Sequence, residues 1–229
     1  MPALWPPDFG ADGTGREHRF LSGLPALKLQ GAHVIVTGPS SGIGRAIAIE
    51  FARRGASVAL ASRNATALEE LATLIRADGG HAVVIPTDVS AEGAVDRMAQ
   101  ETIRQLGGID ILVNNAGIGF HSSIADASAA DVEALFRLNV LAAAAAIRAV
   151  VPTMRAQRSG MIINISSIAG RIVVPRIGHY SATKFALTVI CHRLRMDDGH
   201  RGAKVMHVLT GTQPRGVRTN HLCRPGRRA

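Results

Sequence analysis

The segment TGPSSGIG, residues 37–44, places Gly38, Gly42 and Gly44 at a turn where a phosphate could bind. A strand-like run precedes it and a helix-like run follows. In such a turn the first glycine allows a tight reversal, the second lets the backbone approach a pyrophosphate, and the third lets the helix pack against the strand. The free N–H groups and positive dipole end of that helix would attract the anion. A glycine-rich turn can also serve chain geometry alone, so the glycines by themselves leave both interpretations open.

The end of the second strand-like run bears on which dinucleotide would bind. The stretch SVALASRN, residues 57–64, has no acidic residue for a ribose 2′-hydroxyl, and Arg63 directly follows Ser62. A guanidinium suits a 2′-phosphate, which a carboxylate would repel. This favours NADP(H) over NAD(H), unless Arg63 only begins a solvated helix. Further phosphate contacts are predicted at Ser40, Ser41 or Arg45.

These residues require a fold that brings the ends of several strands together. From about Gly31, short β-branched runs alternate with stretches of helical period. The predicted strands are HVIVT, SVALAS, HAVVIP, IDILVN, MIINIS and KVMHVL, and the predicted helices extend to residue 54 and over 65–77, 91–106, 131–158 and 180–196. Several strand runs are continuously apolar, as in parallel sheets covered on both faces. The sequence therefore predicts an α/β fold, a doubly wound parallel sheet of about six strands.

Length and composition predict one globular domain. The chain has 229 residues, of which 47% are hydrophobic and 19% charged. Residues 1–28, rich in Pro, Gly and Asp, are predicted to be a disordered or loosely packed extension, 29–220 the folded domain and 221–229 a basic tail. The longest near-apolar run, 140–147, is too short for a membrane span, and no secretory signal is recognisable, so we expect a cytoplasmic protein. Cys191 and Cys223 lack metal-ligand spacing, and no metal site is predicted.

The net charge of +9 initially suggests a nucleic-acid partner. Residues 201–229 hold seven basic residues and no acidic residue, which leaves +2 for residues 1–200, from 19 basic and 17 acidic residues. No aromatic platform or recognised DNA-reading pattern accompanies the basic tail. We therefore predict no nucleic-acid role.

Further motifs follow the glycine-rich turn. They are TDV at 87–89, NNAG at 114–117, LNV at 138–140, ISSIAG at 165–170 and YSATK at 180–184. In this order and spacing the motifs resemble the short-chain dehydrogenase/reductase family in its compact single-domain form, over about residues 29–220. The resemblance implies a Rossmann-type fold. It also implies cofactor contacts at Thr37, Gly38, Ser40, Ser41, Gly42, Ile43, Gly44, Ser62, Arg63, Asp88, Val89, Asn115, Ala116, Gly117, Tyr180 and Lys184.

The same resemblance implies four catalytic residues, Asn139, Ser167, Tyr180 and Lys184. Family spacing selects Ser167, thirteen residues before the tyrosine, over its neighbour Ser166. Tyr180 and Lys184 are four residues apart and share a helix face. The ammonium and an oxidised nicotinamide would lower the pKa of the phenol, making Tyr180 the acid in reduction and the base in oxidation. Lys184 would also hold the nicotinamide ribose, Ser167 the substrate oxygen, and Asn139 a water that links Lys184 to solvent.

Apolar residues next to the motifs correspond to segments that line the pocket in the family. They are Ile118, Phe120, Ile172, Val173, Val174 and Ile177. The resemblance thus implies an apolar carbonyl or alcohol substrate, although these residues could equally be ordinary core. The helices carrying Asn139 and Tyr180 pair between subunits in the family, and an alanine-rich face at 142–146 would allow close approach. A homodimer or homotetramer is therefore expected.

The chain departs from the family pattern after the sixth predicted strand. Residues 210–220 read TGTQPRGVRTN, where the family usually has PGxVxT, and we expect the usual substrate lid and seventh strand to be lacking. The leading hypothesis is an NADP(H)-dependent oxidoreductase that interconverts a carbonyl and a secondary alcohol. The alternative is a catalytically impaired cofactor-binding or regulatory protein. A nucleotide-sugar epimerase fits less well, because such relatives need a larger C-terminal lobe and space their glycines as GxxGxxG.

Overall fold

Six parallel strands form one sheet in the computed structural model, which describes residues 29–173, 175–198 and 203–210. The strands are β1 (His33–Thr37), β2 (Ser57–Ser62), β3 (His81–Pro86), β4 (Ile111–Asn114), β5 (Gly160–Ser167) and β6 (Ala203–Thr210). Their order is β3-β2-β1-β4-β5-β6. The direction of winding reverses between β1 and β4, which opens a crevice at the carboxyl ends of these two strands. The predicted doubly wound, Rossmann-type fold is confirmed.

Helices cover both faces of the sheet. They are α1 (Gly42–Arg53), α2 (Ala65–Ala77), α3 (Ala94–Leu106), α4 (Ala129–Phe136), α5 (Ala142–Gln157) and α6 (Gly178–Asp198). Consecutive residues of β1 enter different cores, because side chains alternate along a strand. Val34 and Val36 pack with α1 and α2, whereas Ile35 packs with α3 and α5, and all three are fully buried. Burial on both faces explains why the strand sequences are continuously apolar.

The helical stretch Ala129–Gln157 is interrupted by a π-turn at Arg137–Leu141. Its start is capped by Ser128, whose hydroxyl accepts a hydrogen bond from Asp131 N at 3.1 Å. Within the described residues it is the one helix that length and composition alone would allow to cross a membrane, and it is much longer than the run 140–147. Half of its most apolar 18-residue stretch is buried inside the fold. The core helix of a soluble protein can have the same length and composition.

Several predictions concern the two ends of the chain, which the structure does not describe. Residues 1–28 and 211–229 lie outside the described residues, as does Val174. The disorder of residues 1–28, the basic tail and the altered loop at PRGVRT therefore remain predictions from the sequence.

Candidate active site

The glycine-rich turn has the geometry that an anion site requires. Gly38 and Gly42 have φ of +66° and +57°, in the left-handed region that favours glycine. A Cβ added at Gly38 would lie 2.9 Å from Ala116 Cα, and one at Gly44 would lie 2.6 Å from Gly38 O, so both positions are closely packed. At Gly42 no atom lies within 4 Å of an added Cβ. The first turn of α1 contains no acidic residue, so the start of α1 fits a pyrophosphate without electrostatic conflict.

The loop after β4 forms the second wall of the crevice and is tied to the turn. Asn115 Nδ2 donates to Thr37 O and to Gly38 O, each at 3.0 Å. Thr37 Oγ1 accepts from Asn115 N at 3.0 Å and from Ala116 N at 3.1 Å, and donates to Val113 O at 3.2 Å. The structure thus brings together the predicted residues Thr37, Gly38, Asn115 and Ala116.

The predicted ribose end lies where β2 and β3 finish. Ser62 is buried, and its Oγ has no hydrogen-bond partner among the described residues. Arg63 is exposed and makes no hydrogen bond or ion pair within that part of the chain, while Asn64 caps α2 by accepting from Ala67 N at 3.1 Å. Because the Asn64 side chain caps α2, Arg63 has no role at the helix start, and its guanidinium is available to a ligand. Ser62 Oγ is an unsatisfied polar atom that a ribose or phosphate could satisfy.

Asp88 faces the same region as Arg63. Its carboxylate accepts from Ser90 Oγ at 2.6 Å and Ser90 N at 3.0 Å. The Ser90 hydroxyl lowers the pKa of Asp88 most, and the positive charge of Arg63 also contributes. Asp88 is exposed and the following Val89 is buried. Of the other predicted contacts, Ser40 and Ile43 are half-buried, and Ser41 and Gly117 are exposed.

Ser167, Tyr180 and Lys184 meet at the carboxyl end of β5. Lys184 is 6% exposed; its Nζ donates to Ile165 O at 3.2 Å and lies 5.5 Å from the centroid of the Tyr180 ring. Ser167 Oγ accepts from Ala169 N at 3.2 Å and also hydrogen-bonds the Tyr180 side chain. The structure therefore assembles three of the four predicted catalytic side chains around one point.

Burial controls the protonation of this pair. It lowers the pKa of Lys184 to about 8, because the site solvates an ammonium poorly. It also raises the pKa of Tyr180 above 10.0, and the hydrogen bond with Ser167 opposes this only in part. In the protein alone, loss of solvation outweighs the neighbouring polar groups, and the predicted lowering by the ammonium together with an oxidised nicotinamide stays a prediction.

Asn139, the fourth predicted catalytic residue, lies in the π-turn and is 1% exposed. Its Oδ1 accepts from Ile118 N at 2.9 Å, and its Nδ2 donates to Ile118 O at 2.8 Å and to Thr183 Oγ1 at 3.1 Å. Asn139 is thus no surface residue: it ties the loop after β4 to α6. Both amide hydrogens are used within the protein, so its contact with a water near Lys184 stays a prediction.

Thr183 is a site residue that the sequence analysis missed. It is fully buried, accepts from Asn139 Nδ2, and donates from Oγ1 to Tyr180 O at 2.7 Å. Because its hydrogen points to Tyr180 O, its lone pair must face the Asn139 amide nitrogen, which fixes the orientation of that amide. Its place inside YSATK was the available signal.

The substrate side is formed by the loop after β4 and the start of α6. Ser122 N donates to Arg176 O at 2.9 Å, and Ser122 forms a parallel bridge with Ile177. The rings of Phe120 and His179 lie 6.4 Å apart. Of the predicted pocket residues, Ile118, Phe120 and Ile177 are half-buried, and Ile172 and Val173 are exposed.

A buried polar chain lies beneath the site. Asn114 Nδ2 donates to Asn164 Oδ1 at 2.9 Å and to Ala143 O at 3.3 Å, and Asn164 Nδ2 donates to Cys191 Sγ at 3.1 Å. These contacts join β4, β5, α5 and α6. Among the described residues, no group of three or more His, Cys, Asp or Glu side chains could hold a metal ion.

Comparison with known proteins agrees with this geometry. The sequence pattern of the short chain dehydrogenase family matches residues 32–221. Glycine betaine reductase ATRR of Emericella nidulans is 36% identical over 204 residues, which are 89% of this chain but 16% of that protein. Ketoacyl reductase HetN of a Nostoc species is 34% identical over 183 residues, 80% of this chain and 64% of that protein. The chain thus spans less than two thirds of the length of either relative.

A solved structure gives the same result for the fold. The NAD⁺-bound xylitol dehydrogenase superposes with a TM-score of 0.80 at 30% identity, covering 82% of this chain and 73% of that chain. The sequence match spans most of the described residues and includes every element that carries the site. The chain belongs to the short chain dehydrogenase family of oxidoreductases.

Proposed function

We propose that this chain is an oxidoreductase that interconverts a carbonyl and a secondary alcohol with a nicotinamide dinucleotide. The observation that carries the proposal is the meeting of Ser167, Tyr180 and Lys184 at the end of β5, beside a glycine-rich turn that fits a pyrophosphate. The nicotinamide, when bound, would supply or accept the hydride. The protein contributes binding, alignment and proton transfer.

Each wall of the crevice would hold one part of the dinucleotide. The backbone around Gly42 and Gly44 would hold the pyrophosphate, and Asp88 with Val89 the adenine end. The loop Asn115 to Gly117 would line the path to Lys184, which would hold the nicotinamide ribose. The hydrogen bonds from Asn115 to Thr37 O and Gly38 O keep this loop rigid against the turn.

Tyr180 is suited to give a proton to a carbonyl oxygen. Burial raises its pKa, so the hydroxyl carries its proton at neutral pH. Ser167, which hydrogen-bonds Tyr180, could hold the same substrate oxygen and keep it in line for reduction. Lys184 has a pKa of about 8, so its ammonium would still be largely protonated near neutral pH and would stabilise charge that develops on Tyr180.

Replacing Tyr180 by Phe tests the chemistry. This change removes the proton donor and keeps the ring beside Lys184, so turnover of a carbonyl panel should be lost while the affinity for NADPH, followed by its fluorescence, stays within a small factor. Full activity of Y180F would refute the assignment. If the wild type binds NADPH but reduces no member of the panel, the chain is instead a catalytically impaired cofactor-binding or regulatory protein.

We infer NADP(H) as the preferred cofactor from Arg63 and Ser62. Arg63 is exposed beside the unpartnered Ser62 hydroxyl, and a 2′-phosphate would satisfy both groups. Arg63→Asp should shift the ratio of kcat/KM values from NADPH towards NADH. The control, Arg53→Asp, changes an exposed residue at the far end of α1 and should leave the ratio unchanged. An unchanged ratio in R63D would contradict the inference.

We further propose that the protein is a homodimer or homotetramer in the cytoplasm. The alanine-rich face supports this less than expected, because Ala142, Ala143 and Ala146 are buried against the chain's own core. Exposed Leu141 and Val189 lie on the helical segments that carry Asn139 and Tyr180, and a second copy could cover them. Light scattering of the purified protein tests this, and a monomeric mass would contradict it.

A further inference from the structure

Charge is divided unequally along the chain. Residues 29–133 contain 12 acidic and 7 basic residues, a net charge of −5, whereas residues 134–196 contain 9 basic residues and no acidic residue, a net charge of +9. The second segment includes the π-turn, α5, β5 and α6 up to Met196, and therefore all four predicted catalytic residues; α6 itself ends with Asp197 and Asp198. The predicted catalytic residues and the connection between β5 and α6 thus lie in a part of the chain without any carboxylate side chain.

Several of these basic residues are neutralised by the acidic half. Arg137 Nη2 lies 2.6 Å from Glu133 Oε1, and Arg148 Nη2 lies 3.3 Å from Asp96 Oδ2. Arg176 differs from them, because it is exposed and makes no ion pair within the described part of the chain. Its charge is therefore available to a ligand.

Backbone contacts fix the position of Arg176 between the loop after β4 and α6. Arg176 has a φ of +67°, a left-handed conformation that is uncommon for a residue other than glycine. Its carbonyl accepts from Ser122 N at 2.9 Å, which joins the loop after β4 to the segment before α6. Tyr180 follows four residues later, in the first turns of α6. Such a conformation persists only where the surroundings impose it, and here the hydrogen bond from Ser122 N contributes.

Exposed apolar side chains lie on the same connection between β5 and α6. Ile168 is 45% exposed, Ile172 53% and Val173 79%, although large apolar residues usually lie inside a fold. Ile124, 66% exposed, adjoins the start of α6, because its Cδ1 would lie 2.6 Å from a Cβ added at Gly178. Ser167 begins this connection and Tyr180 follows it, so the apolar residues and Arg176 lie on the segment that joins two of the predicted catalytic residues.

We propose that the substrate is an amphipathic carbonyl compound, with an apolar body that packs on Ile168, Ile172 and Val173 and an anionic group that faces Arg176. This inference rests on the proposed function and names the class of its substrate. A carboxylate and a phosphate would both satisfy the guanidinium. A neutral polyhydroxylated substrate would gain from neither feature, because it lacks both an apolar body and a charge.

The test uses three ketones that share one apolar chain: 9-oxodecanoate, its methyl ester and 9-oxodecyl phosphate. With NADPH, kcat/KM should be higher for either anion than for the ester, and the larger gain identifies the preferred head group. Raising the ionic strength from about 20 mM to about 500 mM should reduce this advantage, because salt screens an exposed charge. Arg176→Gln should lower the ratio of anion to ester by about two- to fivefold, the range expected for an exposed ion pair.

Arg158→Gln is the matched control. Arg158 belongs to the same carboxylate-free stretch and is exposed. It lies at the C-terminus of α5, next to the amino end of β5, whereas Ser167 lies at the carboxyl end of that strand. R158Q should leave the ratio unchanged. Equal kcat/KM values for anions and ester in the wild type, or an unchanged ratio in R176Q, would overturn the inference and leave the proposed function intact.

Failure of the proposed function would look different. If the NADPH-loaded protein reduces none of the three ketones, binding is compared by isothermal titration calorimetry with decanoate and methyl decanoate. Tighter binding of decanoate that R176Q abolishes would support the inference without turnover. Equal binding, or no binding of either compound, would overturn it.

Discussion

Replacing Lys184 by methionine should make the cofactor-free protein more stable near neutral pH. Lys184 is buried, which lowers its pKa from 10.5 to about 8. At about 1.4 kcal/mol per pH unit, this difference means that burying the protonated form is unfavourable by roughly 3 kcal/mol. Methionine keeps much of the apolar volume but loses the hydrogen bond from Nζ to Ile165 O, worth about 1 kcal/mol. The expected net gain in the free energy of unfolding is about 2 kcal/mol.

The pH dependence identifies the cause. Because the folded pKa lies below the unfolded one, the unfolded wild type binds more protons between about pH 8 and 10.5, and wild-type stability rises with pH across this window. The advantage of K184M should therefore be complete near pH 7 and decline through this window. The same change should remove activity, because Lys184 supplies the ammonium beside Tyr180.

Urea unfolding of both proteins at about pH 7, 8, 9 and 10 measures this difference. Lys204→Met on the half-buried strand β6 is the control for loss of a lysine and is unfolded at the same pH values. The reasoning would be refuted if K184M were less stable than the wild type near pH 7, or if the difference stayed constant across the series.

Two further pairs of variants test the structure around the site. Thr183→Val should lower the free energy of unfolding by about 1–3 kcal/mol and reduce kcat, because it leaves a buried hydrogen of Asn139 Nδ2 without an acceptor. Thr183→Ser keeps the hydroxyl and should retain kcat. Equal kcat for the two variants would contradict this. Gly38→Ala should destabilise the fold and weaken NADPH binding, because its Cβ would meet Ala116 Cα at 2.9 Å. Gly42→Ala should be milder for the fold, by about 1 kcal/mol, but should still raise the Kd for NADPH, since its added methyl enters open space next to the helix start. A G42A protein with unchanged affinity would place the pyrophosphate elsewhere.

The order and type of the strands and helices could be predicted from the sequence, because each element has a repeating pattern of apolar residues that is visible within its own segment. Strands β2 and β3 were predicted over the same residues that the structure shows, since strands buried on both faces read as uninterrupted apolar runs. Helix α2 was also predicted to the residue. Helix α3 begins at Ala94 rather than residue 91, because Gly93 adopts φ of +67° just before it.

The π-turn could not be predicted from its own residues. Nothing in RLNVL marks a departure from an ordinary helix, and the turn holds Asn139, whose amide binds the Ile118 peptide 21 residues earlier in the chain. The role of Thr183 was missed for the same reason, since its partner Asn139 is 44 residues away. Contacts of this kind appear only once β4, β5 and α6 are packed together.

The electrostatics of the site depend on solvent access, which the sequence does not show. The types of Tyr180 and Lys184 suggested a lowered phenol pKa, but the sign depends on how much water reaches the hydroxyl, which residue spacing does not reveal. The alanine-rich face raised the same difficulty. Its small side chains indicate a close helix contact, but only the fold shows that Ala142 and Ala146 pack inside the protomer.

The buried hydrogen bonds among Asn114, Asn164 and Cys191 link the register of strands β4 and β5 to the position of Ser167. Asn114 and Asn164 are register partners in β4 and β5, and three residues beyond Asn164 the strand presents Ser167 to the crevice. A shift of β5 by one residue would move Asn164 to the other face and leave buried amides unsatisfied, besides displacing Ser167 by about 3.3 Å. Misregistered pairing of β4 with β5 would therefore destabilise the sheet and displace the Ser167 hydroxyl at the same time, so stability and the geometry of the site depend on the same buried amides.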